Sequence, residues 1–218
     1  MSMKKIKGFK FLTLVFGIVF ALTMTSIASA KSRGGNDNMI VNINGGVVEI
    51  ISGESSEPTY EYDNTLCTVV SETVGNSTTI TITSLKTNNS WAGKVCKIFL
   101  PTSIDTLSIN TQTNSVTSVS NFNVDMNVTD NGFTTITLPL DYAADVNVVT
   151  TGVTQVTIPK NIDNATFTST NKGVGIVTLP FSDYFFLNKN YQKVFGNGEQ
   201  IYKFEAQERA LLTVLLSD

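Results

Sequence analysis

No histidine occurs anywhere in this chain. That absence excludes every Ser–His or Cys–His nucleophile arrangement and all His-ligated metal sites. Cysteine is almost as scarce, with only Cys67 and Cys96, and two thiolates without a histidine cannot build an ordinary zinc site. Charge is thin as well, at 15% of residues. Beyond the first thirty residues, eleven basic side chains face eighteen acidic ones, a net of −7. An acidic surface repels phosphate backbones and anionic lipid headgroups, which argues against nucleic-acid binding and lipid docking. No catalytic residue, metal ligand set or cofactor motif is predicted, and the chain reads as a non-enzyme.

The first thirty residues have a character of their own. Lys4, Lys5, Lys7 and Lys10 make a basic start, Phe11 to Met24 form an apolar run, and Ala28-Ser29-Ala30 ends it with small residues. This is the three-part layout of a secretory signal peptide cleaved after Ala30. The run is short for a bilayer span, which needs about 20 residues, and no later apolar run is long enough to serve as one. The expectation is therefore an exported protein, whether secreted, at the cell surface or periplasmic. Residues 31–218 then form a single domain, enough chain to bury a real core.

That domain is rich in Thr, Asn, Val and Ile, residues that suit a pleated surface better than a helix. Short alternating runs recur, among them Thr79-Ile80-Thr81-Ile82-Thr83 and Thr135-Ile136-Thr137-Leu138. Apolar residues at every second position predict half-buried strands. A branched aliphatic residue followed by proline repeats at Leu100-Pro101, Leu138-Pro139, Ile158-Pro159 and Leu179-Pro180, with 38, 20 and 21 residues between successive prolines. The first gap is close to two periods. The stretch Pro101–Ile109 aligns without gaps on Pro159–Phe167, matching Leu107/Ile109 to Ala165/Phe167 and Ile98/Leu100 to Val156/Ile158 and Val177/Leu179. One turn, Phe122–Phe133, is too degenerate to place.

Each period thus reads as strand, turn, strand, turn, with proline stopping a strand because it has no N–H to donate. Stacked about 4.8 Å apart, such periods would pool their inward pairs into one core. The predicted fold is an all-β, mostly parallel β-solenoid or β-helix with turns of about 20 residues, the alternative being a β-sandwich. The aliphatic residues before the prolines are expected to form one internal column. The flanks should act as caps. Residues 52–64 read as an exposed acidic loop, and the aromatic stretch Phe181 to Tyr191 reads as a plug. Ile201–Phe204 and Leu211–Val214 read as a terminal hairpin.

These features resemble the bacterial "putative adhesin" domains of unknown function, a group that includes the GIN-type head domains. The likeness rests on the recurring aliphatic-Pro step, the Ile104-Asp105 and Ile162-Asp163 steps, the Thr/Ile strands, and the Gly196-Asn197-Gly198 turn, over roughly residues 38–216. It implies a right-handed solenoid on an exported, non-catalytic interaction module whose partner is a surface protein, a glycan or further copies of itself. It brings no catalytic residues.

Other readings of particular residues compete with this one. Asp105, Asp125 and Asp163 are candidate sugar-hydrolysing carboxylates if they line up on successive turns. Their position at the turns equally suits capping of backbone N–H groups. Thr79/Thr81/Thr83, Thr135/Thr137 and Thr166/Thr168 are candidates for flat hydroxyl ladders. Trp91 and the aromatics near Tyr184 are candidates for stacking on sugars or for burial in a cap. Cys67 and Cys96 each lie in a strand-like run of an exported chain, so a disulfide between neighbouring strands is expected, with two buried thiols as the alternative.

Overall fold

The computed structural model describes residues 37–85, 96–186 and 189–218, with side chains between 182 and 188 left out. The leader and Trp91 lie outside the described residues, as do the side chains of Tyr184, Phe185 and Phe186. Every regular element described is a strand. In order they are β1 (Asn38–Asn44), β2 (Gly46–Gly53), β3 (Thr59–Glu61), β4 (Cys67–Val74), β5 (Ser77–Ser84), β6 (Cys96–Pro101), β7 (Thr106–Thr111), β8 (Ser115–Ser120) and β9 (Asp125–Asp130). Then follow β10 (Phe133–Thr137), β11 (Val146–Thr150), β12 (Val153–Ile158), β13 (Ala165–Asn171), β14 (Ile176–Leu179), β15 (Ser182–Phe186), β16 (Lys189–Phe195), β17 (Gln200–Ala206) and β18 (Leu211–Leu216).

The strands form two nine-stranded sheets. The first runs β16-β13-β17-β11-β9-β7-β1-β5-β4 and the second β15-β14-β18-β12-β10-β8-β2-β6-β3. Listed side by side, the two orders give seven matched levels, each with one strand in either sheet: β5/β6, β1/β2, β7/β8, β9/β10, β11/β12, β17/β18 and β13/β14. Neighbouring levels pair in parallel, for example β7 with β9 and β10 with β12. The four outermost strands, β3, β4, β15 and β16, pair antiparallel. These edges are blunted by shortness or by charge: β3 has three residues, and β16 carries Lys189 and Lys193. Such features discourage edge-to-edge pairing with another chain.

The first and last described strands do not lie at the ends of the sheets. β1 lies between β5 and β7, and β17 between β11 and β13. The connection from β6 to β7 therefore passes over the N-terminal level, and that from β12 to β13 passes over the C-terminal one. The caps come instead from internal segments around β3/β4 and β15/β16. Thr59–Glu61, inside the predicted acidic loop, pairs with β6 as one of them. The expected aromatic plug is present, since Phe181 and Tyr191 meet the Phe167 ring edge-on at 5.5 and 6.1 Å. The expected terminal hairpin is corrected: β17 and β18 are strands, but they sit in different sheets.

Period-2 alternation places the inward side chains as expected. Ile98, Leu100, Ile136, Leu138, Val156, Ile158, Val177, Leu179, Leu107, Ile109, Val146, Val148, Ala165 and Phe167 are all buried in one core. The expected single column beside the prolines is not. Leu138 lies beside Ile158, joined by the Leu138 N–H to the Thr157 carbonyl at 3.0 Å. Between Leu100 and Leu138, however, come β8 and β2, with Ser52 opposite Leu100. Val177 stands opposite Leu212, which in turn faces Thr154, so Leu179 is displaced by two residues from Ile158. The same displacement puts Phe167, not Ala165, in line with Val146 through Tyr202. The continuous columns are Ile98–Ile50–Val119–Ile136–Val156–Val214 in the second sheet and Ile80–Val41–Ile109–Val128–Val148–Phe204 in the first.

Ile109 sits in the middle of its column, so Ile109→Ala should cost about 2–5 kcal/mol in urea unfolding. Ile109→Asp should yield no soluble folded protein, because the charge has no partner there. A second expectation concerns alkali. Burial raises the Tyr202 phenol to about 12 and moves the Tyr142 phenol upward too. The folded state thus holds protons that the unfolded chain releases near pH 10. Stability should be level below about pH 8 and fall as pH rises toward 12, because the buried Cys67 and Cys96 thiols, whose proton affinities are raised as well, add to the phenols. Urea midpoints across that range check it, and Tyr202→Phe should flatten the fall.

Candidate interaction face and interior polar site

Six short turns carry the chain from the first sheet to the second: Gly45, Gln112–Asn114, Asn131-Gly132, Thr151-Gly152, 172–175 and 207–210. They stack tightly, since a Cβ on Gly152 would come within 2.2 Å of the Gly132 carbonyl oxygen. Inside this corner the aliphatic columns turn polar. Ile82 and Ile43 give way to Thr111, Asp130 and Thr150 in the first sheet, and Cys96 and Val48 give way to Thr117, Thr134 and Thr154 in the second.

Asp130 is fully buried. Its Oδ1 accepts from the Thr111 hydroxyl at 2.5 Å, the Thr134 hydroxyl at 2.7 Å and the Gly132 N–H at 3.1 Å. Its Oδ2 accepts from the Thr154 hydroxyl at 2.7 Å and the Thr150 hydroxyl at 3.3 Å. All five donors are neutral, and they come from three successive levels of both sheets. A carboxylate ringed by hydrogen-bond donors suits neither a cation nor a substrate; it organises the corner. Phe122–Phe133 looked degenerate because Asp130 occupies a position where the neighbouring turns carry threonine.

The opposite corner also uses carboxylates and amides structurally. Asp125 Oδ1 accepts the Asp145 N–H at 3.0 Å, and Asp145 Oδ1 accepts the Ile201 N–H at 2.7 Å. Asn123 Oδ1 accepts the Ala143 N–H at 2.8 Å, and Asn164 Oδ1 accepts the Asn197 N–H at 2.9 Å. Asp105, just before β7, adjoins Asp125 at the start of β9, whereas Asp163, just before β13, is separated from Asp125 by β11 and β17. The three candidate carboxylates therefore do not converge. Sequence reading missed Asp145, Asn123 and Asn164, although all three occupy turns of the kind that Asx side chains cap.

The threonine ladders are corrected too. Thr79 and Thr168 share a row on the first sheet, but Ile40, Ser108, Asn127, Asn147 and Lys203 stand between them. Thr135 and Thr137 are on the other sheet. The outer face of the first sheet is instead amide-rich, with Asn42 and Asn110 hydrogen-bonded at 2.9 Å.

The outer face of the second sheet is different. Val47, Val116, Phe133, Val153, Leu211 and Ile176 stand opposite one another in register across six strands. At one residue per strand, this row is about 24 Å long. Val116, Phe133, Leu211 and Ile176 are 44, 45, 39 and 40% exposed. The next rows hold Ser118, Thr135, Gln155 and Thr213, then Ser120, Thr137, Thr157 and Leu215. The five adjacent strands β8, β10, β12, β18 and β14 contain no charged residue. The charges beside them, Lys97 and Glu49, neutralise each other at 3.4 Å.

Cys67 and Cys96 are both buried thiols. They are not on neighbouring strands, as expected, but on opposite sheets at one end of the stack, at the starts of β4 and β6. The two buried thiols lie close enough to perturb one another. Burial and the adjacent Cys67 push Cys96 up to about 12, and burial also raises Cys67.

No protein-family model matches the chain, and no curated protein matches it. Among solved structures it is similar to a "putative cell adhesion protein" from Clostridium sporogenes ATCC 15579, at 18% identity and a TM-score of 0.59. That match covers 84% of this chain and 94% of the other. A "putative adhesin" from Bacteroides fragilis NCTC 9343 aligns over 85% of this chain at 12% identity, with a TM-score of 0.37. The first likeness shows a shared fold; the second is too distant to carry an argument.

Replacing Asp130 by alanine should cost about 3 kcal/mol or more in urea unfolding, because it strips five donors of a buried charged acceptor. Asp130→Asn keeps one acceptor oxygen and should cost less. An Asp130→Ala protein as stable as the parent would show that the corner does not need the carboxylate.

Proposed function

We propose that the chain is an exported, non-catalytic, adhesin-like interaction module of the cell surface that takes a protein partner on the outer face of its second sheet. The observation that carries this reading is the in-register apolar row from Val47 to Ile176, on six strands of which five carry no charge. Exposed apolar rows of this extent on an otherwise acidic chain mark contact surfaces, because they leave apolar area in water without contributing to the core. The absence of charge favours a partner with an uncharged, partly apolar surface over an acidic glycan. The name of the Clostridium sporogenes structure similar in fold points the same way.

The same reading takes the two sheets as opposite walls of a right-handed parallel β-solenoid, within the group that includes the GIN-type head domains. The alternation of successive strands between sheets and the spacing of about 20 residues support it. The basic, apolar and small-residue layout of the first thirty residues supports export.

Adhesion of beads coated with the protein to immobilised extracellular-matrix proteins tests the face. Phe133→Glu and Leu211→Glu, both at exposed positions, should leave the unfolding midpoint nearly unchanged and lower adhesion at least tenfold. Adhesion that survives both changes would remove this face from the mechanism. Loss on adding soluble glycan alone would shift the reading to carbohydrate.

A further inference from the structure

The two ends of the stack are closed by different means. At the β13/β14 end, Phe167, Phe181, Tyr191 and Phe195 form a ring cluster, with Phe181 and Phe195 centroids 5.1 Å apart and Lys193 over both rings at 4.7 and 4.9 Å. At the β5/β6 end no comparable aromatic cluster is seen among the described residues. There β4 pairs only with β5, and its Val70 and Val74 are exposed. Toward the other sheet β4 presents the buried Cys67, which shares the core with the buried Cys96 at the start of β6 and interacts with it.

We propose that Cys67 and Cys96 close as a disulfide that pins the end strand of the first sheet to the second sheet, doing at this end what the aromatic cluster does at the other. The pairing is across the core rather than along a ladder, so it adds a link that no backbone hydrogen bond supplies. It closes a loop of about 30 residues around β4 and β5, the kind of closure that restricts the unfolded chain.

The chemistry balances against a disulfide oxidant. One thiolate attacks the oxidant's disulfide bond and displaces a thiolate from it. The second thiolate attacks the resulting mixed disulfide, forming Sγ–Sγ and displacing the other half. Two thiol protons are released, and two electrons reduce the oxidant to two thiols. In the folded, reduced protein both sulfurs are buried and held in the protonated form. Attack there is slow because the thiolate is the nucleophile. Closure therefore precedes packing of β4 and belongs to the folding reaction.

The test does not depend on what the outer face binds. Protein unfolded in urea with dithiothreitol is refolded at pH 8 in reduced and oxidised glutathione, then denatured and alkylated. The expected result is a chain with no alkylatable thiol, about 2 Da lighter than the reduced form. Protein refolded in reductant and then moved into the same buffer should stay reduced at least tenfold longer. The bridged form should melt about 5–10 °C above its reduced form. A Cys67→Ala/Cys96→Ala variant, which keeps the site apolar, should show no response to reductant. A refolded native protein with both thiols alkylatable, or with no reductant-sensitive change in melting, would overturn the proposal. Equally fast oxidation of the already folded protein would overturn the order of events.

Discussion

Everything in this fold depends on aliphatic side chains meeting in register between two sheets. Each level contributes only two or three inward residues per strand, too few to fold alone. Laid one on the next, they make columns such as Ile80–Val41–Ile109–Val128–Val148–Phe204, in which each interior side chain packs against its neighbours above and below. Full burial of each contributes about 1.5–3 kcal/mol. The parallel ladders satisfy the backbone at the same spacing, so hydrogen bonding and packing demand the same register. A slip of one residue would turn every inward side chain to solvent.

The interleaved termini follow from that constraint. A level at the end of the stack has one open face, and a chain terminus there would have only one neighbour. Inserting β1/β2 and β17/β18 one level in gives both terminal segments two parallel neighbours. It leaves the open faces to internal segments, whose two ends are both tethered and which fray less easily than a terminus. The polar corner works by the same logic at another point. Tight turns around Gly132 and Gly152 bring backbones too close for larger side chains. There Asp130 and the four threonines that donate to it replace apolar packing with a network in which both carboxylate oxygens are filled, whereas the neighbouring Thr117 Oγ1 is buried without a hydrogen-bond partner.

The sequence disclosed the alternation, because period-2 patterning needs no knowledge of partners. Every inward pair beside a proline is buried as the pattern implied. The order of levels was hidden. Nothing in the residues of β2 says that it separates β6 from β8, since Val48 and Ile50 would pack equally well at an end. The proline spacing misled for the same reason: equal intervals along the chain do not guarantee adjacent levels. The two-residue displacement is already present at β13, so it arises in the connection between Ile158 and Ala165, where the gapless alignment with the first repeat had assumed equal lengths. Asp130 hid its own repeat, because an acidic residue at an inward position reads as a break until its five donors are seen.

The outer faces were the least legible, and one of them carries the proposed contact. Inward positions are constrained by shape, so their identities describe the core and little else. Outward positions are free of that constraint, and the two sheets use the freedom differently. One presents amides and paired charges, such as Lys172 with Glu205 at 2.7 Å. The other presents a valine, leucine, isoleucine and phenylalanine row without charge. Neither choice is required by the strands beneath, since threonine would serve the pleat as well in either place. Side chains such as Phe133 and Leu211 leave apolar area in water that the core does not need. That cost would be recovered if a second surface covered the row, and this asymmetry between the faces is what the proposed contact rests on.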